Sequence, residues 1–121
     1  MHVLISQMQE LFRVHDGPRI INEKHIEQWS HSYGLNRASL YDAIAAELAL
    51  GFHNGTLDYE FCDAVVNDLV GIHFEEDNSL FWQVFLAFDA GEYGHDGDRG
   101  VGPVEKYTRP EITRIVSKLT A

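Results

Sequence analysis

"IEQWSHSYGLNRASLYDAIA", residues Ile26 to Ala45, decides how the chain is read. Trp29 and Tyr33 follow Ile26 at helical spacing. Gly34 can then enter the left-handed region without a Cβ penalty, and apolar Leu35 follows it, as in a C-terminal helix cap. Asn36 supplies a side-chain acceptor to start the next helix, which runs on through "RASLYDAIAAELALGFH". A small residue, Ser30, stands four before the glycine, and Leu40 stands six after it. The spacing predicts two helices crossing at a tight turn, a helix-turn-helix-like unit over 23–53.

The same signals recur on both sides. Upstream, Leu4, Met8, Leu11 and Phe12 mark a first helix, which "DGP" at Asp16 to Pro18 breaks. Asn22 is placed to cap the second helix, and Asn54-Gly55 to end the third. A fourth is predicted from about Leu57 to Ile72, with Phe61, Cys62, Val65, Val66, Leu69 and Ile72 on one face. Glu60, Asp63 and Asn67 fall on its polar side. Asn78 or Ser79 starts a fifth, "LFWQVFLAFDA", apolar nearly all round over 80–88. Such a helix belongs either at the centre of the core or in a homodimer interface. "TRPE", Thr108 to Glu111, matches a capping box with proline in the first turn of a last helix. "RVHDGPRII" is the one place where a short hairpin fits. The expectation is an all-α fold: a single domain over 1–121, about five to six helices in an orthogonal or irregular bundle. A glycine-rich connector, 91–107, precedes the last helix.

Charge is distributed in blocks. The formal net charge is −10, and the nine Lys and Arg all lie at or before Arg37 or at or after Arg99. Between Ala38 and Asp98 there are thirteen Asp and Glu and no Lys or Arg. A field of that sign attracts basic proteins and repels nucleic acid. The acidic face expected to meet a basic protein partner comprises Asp58, Glu60 and Asp63, with Glu75, Glu76 and Asp77 nearby. Inhibitor, immunity-type and adaptor proteins illustrate this class. The alternative is a helix-turn-helix DNA-binding regulator using Arg37, Ser39 and Tyr41, although Asp42 and Glu47 follow on the same helix. An enzyme with an unrecognised site comes third.

Catalytic and metal motifs are sparse, so no catalytic residue, cofactor or resident metal is expected. The loop residues Glu92, His95, Asp96 and Asp98 offer carboxylates and an imidazole among glycines. Calcium-loop frames starting at Asp89 or Asp96 nevertheless miss required ligands. The two His-Asp pairs, at His15 and His95, adjoin glycine, and the single Glu-x-x-His, Glu92 to His95, has no second copy. Cys62, the one cysteine, sits on the apolar side of its helix and reads as a buried structural thiol. His31, His53 and His73 fall near helix ends, where they meet the C-terminal dipole. Glu47 falls among Leu40, Ala43, Leu50 and Gly51 and is the carboxylate expected at the edge of the core. No stretch reaches the roughly 18 apolar residues of a membrane span. The N-terminus does not read as a signal peptide, and a reducing cytoplasm is the expected address.

Overall fold

Six helices and one π-helical turn make up the computed structural model, which describes residues 2–14, 20–72, 79–92 and 102–120. The helices are α1 (His2–Val14), α2 (Glu23–Tyr33), α3 (Arg37–Asn54), α4 (Tyr59–Ile72), α5 (Leu80–Asp89) and α6 (Arg109–Leu119). The π-turn, Val104–Thr108, runs directly into α6. Among the described residues there is no strand. Of the stretch expected to permit a hairpin, 15–19 lie outside the described residues, Arg13 and Val14 end α1, and Ile20 and Ile21 are not strand.

Local chemistry sets most boundaries. Asn22 Oδ1 accepts the His25 N–H at the start of α2, and His25 Nδ1 accepts the Asn22 N–H in return. Imidazole thus takes the place that Glu or Gln holds in a capping box. Gly34 adopts φ 66°, and the Leu35 N–H closes on Ser30 O, which ends α2 with both features expected of the turn. Asn36 Oδ1 accepts the Ser39 N–H and opens α3; Gly55, at φ 81°, closes it. Ser79 Oγ receives the Trp82 N–H at the start of α5.

The last helix departs from expectation. Thr108 is helical and makes no capping bond. Its hydroxyl instead donates to Ala87 O, 2.7 Å away on α5, from a fully buried position. Helical structure extends upstream through the π-turn, so the connector foreseen over 91–107 already contains helix by Val104. Pro110 lacks the N–H that would close on Lys106 O, and the wider turn before it takes up that break in the ladder.

The core forms around α3, which packs against α2, α4, α5 and α6. Leu40, Ile44, Ala45, Leu48 and Ala49 are completely buried. Tyr41 lies against Phe81 and donates to Leu69 O at 2.9 Å, tying α3 to α4 and α5. Phe52 and Phe88 meet edge to face, and Arg109 of α6 lies over the Phe52 ring. Helix α5 is less central than its composition implies: Phe81, Val84, Ala87 and Phe88 are buried, but Leu86 keeps 47% of its surface exposed. Trp82 and Phe85 are half-buried and stacked on each other. Among the described residues no helix is long and apolar enough to cross a membrane.

Candidate functional site

Several carboxylates of the lysine-free stretch have work inside the fold. Asp42, on α3, accepts the Phe81 N–H in the first turn of α5 at 2.9 Å. Asp58 accepts the Phe61 N–H at 2.8 Å and caps α4. Asp68 is 8% exposed, and its Oδ2 accepts both the Ile20 and Ile21 N–H groups, at 2.9 and 3.0 Å. A carboxylate aimed at unpaired backbone donors stabilises the segment that carries them. The sequence alone marks Asp58 as a partner-facing charge, although its target lies three residues ahead, and shows Asp42 and Asp68 only as part of the acidic run. The Asn and Ser caps were visible because their targets lie three residues away, whereas Asp42 and Asp68 reach targets 39 and 47 or 48 residues distant.

Two of the expected partner-facing residues, Asp58 and Glu60, are exposed and lie on the same hollow of about 460 Å³. Its floor is Phe12 of α1 and Phe61 of α4, packed edge to face at 5.2 Å. Gln9 and Thr56 join it to a second hollow of about 420 Å³. The second is floored by Ile5, Leu50 and Leu57, and half-buried Glu47 stands beside them. The two form one groove between α1 and the α3–α4 turn. Gly51 shapes its base: a Cβ there would collide with Leu57 Cδ1, and Gly51 O accepts the Thr56 and Leu57 N–H groups. Among the described residues the one guanidinium on the groove is that of Arg13, held by Glu10 at 2.6 Å.

Asp63 goes elsewhere, which corrects its placement on an open polar face beside Glu60. It is half-buried and meets Glu92, just past α5, with Asp89 adjoining. Asp63 Oδ1 is enclosed with no hydrogen-bond partner. Two deprotonated carboxylates cannot donate to one another, so the meeting of Asp63 and Glu92 favours a proton held by one of them. Burial, followed by the charge of Asp89, pushes the Asp63 carboxyl up to about 6. Hydrogen bonding with Asp89, then burial and the charge of Asp63, pushes Glu92 up to about 7. Tyr59 lies alongside and donates to Phe88 O at 2.7 Å; burial and these same charges raise its phenol.

Glu75, Glu76, Asp77, His95, Asp96, Asp98 and His73 lie outside the described residues. Among the described residues no cluster of three or more His, Cys, Asp or Glu could hold a metal ion. Cys62 is fully buried as expected, its Sγ directed at Leu48 O, and burial raises its thiol. Arg37, the guanidinium a DNA-reading helix would need, pairs with Glu23. Every residue of α3 from Leu40 to Phe52 is buried or half-buried. Comparison of the chain with protein-family models, with curated proteins and with solved structures finds no match.

Proposed function

We propose that this chain is a helical protein-binding module that meets a cationic protein partner through its acidic side, in the manner of an inhibitor or adaptor. The carrying observation is the run from Ala38 to Asp98, with thirteen Asp and Glu and no Lys or Arg. Part of that charge is internal, but Asp58 and Glu60 stand exposed on one groove, with Glu47 farther along it. Exposed charge of one sign speeds encounter with an oppositely charged surface more than it strengthens the final complex.

The test is capture of the partner from the source cell, followed by rate measurements with the purified pair. The expected partner is strongly basic, and its association rate falls about tenfold or more between low and high salt as the field is screened. Glu60→Lys is expected to slow association while leaving thermal unfolding nearly unchanged, because Glu60 is exposed. An acidic partner, or an association rate indifferent to salt, overturns the reading.

A turn at left-handed Gly34 joins α2 to α3 at the spacing of a helix-turn-helix, so duplex DNA is the second ligand to test. A recognition helix needs a free face to lie in the major groove. The enclosure of α3 between Leu40 and Phe52 counts against that use. Gel shifts with random duplex at low salt are expected to show no binding; binding that disappears in Arg37→Ala would favour the regulator instead.

A further inference from the structure

We infer that the groove between α1 and the α3–α4 turn is the docking site for a cationic segment of a protein, one whose Lys or Arg side chains lie along it. This rests on the acidic-module reading and narrows it to one place and one kind of occupant. The lining explains the choice. Ile5, Leu50 and Leu57 give an aliphatic floor in one hollow, and Phe12 and Phe61 an aromatic floor in the next. Carboxylates stand beside both: Glu47 at the first, Asp58 and Glu60 at the second. Lys and Arg have the complementary build, an apolar stem ending in a cation. A stem laid on Leu50 and Leu57 brings its head toward Glu47, and a guanidinium over Phe12 or Phe61 reaches toward Asp58 and Glu60.

Charge complementarity decides against other occupants. A second copy of this chain, at −10, brings like charge to the groove. An anionic ligand meets three carboxylates and a guanidinium already neutralised by Glu10. A small molecule is poorly enclosed by two open hollows, whereas a chain segment can run from one to the other across Gln9 and Thr56. Asp58 caps α4 through Oδ1 alone, which leaves its second oxygen available without loss of the cap.

The experiment titrates the isotope-labelled full chain with two peptides of alternating residues, one Arg-Leu and one Glu-Leu, and follows backbone amide shifts. The expected result is binding of the Arg-Leu peptide only. Its shifts should concentrate at Ser6, Gln9, Gly51, Thr56 and Leu57, and affinity should fall about fivefold or more in Glu47→Gln combined with Glu60→Gln. Both substituted side chains lie outside the closed core, and an unchanged melting temperature verifies that the variant is folded. Binding whose shifts gather instead at Asp89 and Glu92 overturns the groove and leaves the acidic-module reading standing. Equal binding of both peptides overturns the groove as a cation site. Absence of binding to either peptide at low salt overturns the groove; the acidic-module reading then stands or falls on the salt dependence of its captured partner.

Discussion

The carboxyl of Asp63, half-buried on α4, faces the carboxyl of Glu92, just beyond the end of α5. Sequence reading put the first on a partner-facing stripe and the second in a glycine-rich loop. In the fold they form one acidic contact at the C-terminal end of α5, where the helix dipole already places partial negative charge. Holding a proton there near neutral pH lowers the repulsion.

Stability should therefore fall with rising pH across this contact. Asp63 is raised to about 6 and Glu92 to about 7 in the folded chain, and both lie near about 4 when unfolded. Between those limits the folded state binds more protons than the unfolded state, so the contribution is full below pH ~4 and lost above pH ~7. Both groups retain solvent contact, which limits the effect to about 1–2 kcal/mol. Urea midpoints measured against pH, for the native chain and Asp63→Asn, isolate it. The variant should be relatively more stable at pH ~8 than at pH ~5; a difference that does not change with pH rejects the shared proton.

Asp68 should be the costliest acidic residue to remove. Asp68→Ala leaves the Ile20 and Ile21 N–H groups without their acceptor, and Ile21 is fully buried. The expected loss is about 2–4 kcal/mol by urea unfolding. Asp68→Asn keeps one acceptor oxygen and should lose less. By contrast, Glu60→Ala, at an exposed site, should stay within about 0.5 kcal/mol of the native chain.

Gly91 should not tolerate a methyl group. A Cβ there collides with Thr108 Oγ1 and stands 3.0 Å from the Tyr59 hydroxyl. Those two hydroxyls satisfy Ala87 O and Phe88 O at the end of α5. Gly91→Ala should therefore cost about 2–3 kcal/mol. Thr108→Ala, which orphans one buried carbonyl, should cost about 1–2 kcal/mol. Thermal unfolding of both variants checks the order; a neutral Gly91→Ala would mean that this junction is looser than described.

Cys62 should resist thiol reagents in the native state. It has no exposed surface, and burial, with Asp58 and Asp63 adding to it, disfavours the thiolate. Reaction with a disulfide reagent should be on the order of 10³-fold slower or more without denaturant than with it, because access requires opening of the core. Rapid native labelling would contradict the packing of α4 on α3.

The positions of the helices were legible because their signals are local. Asn22, Asn36 and Ser79 act on N–H groups three residues ahead, and Gly34 and Gly55 end helices by their own backbone conformation. Periodicity likewise placed Leu4, Met8, Val65 and Leu69 inside, since one helix face repeats within four residues. The acidic charge and its block distribution were also plain. What those charges touch was not. Asp42 with Phe81, Asp68 with Ile21, Asp63 with Glu92, and Thr108 with Ala87 are meetings between separate helices or segments. The groove over Gly51 and Leu57 forms where α1 meets the turn between α3 and α4. A helix is written in interactions that span about one turn, whereas these pairings depend on how six helices pack. Spacing along the chain carries little record of that packing, so only the tertiary structure decided which carboxylates serve the fold and which face the groove.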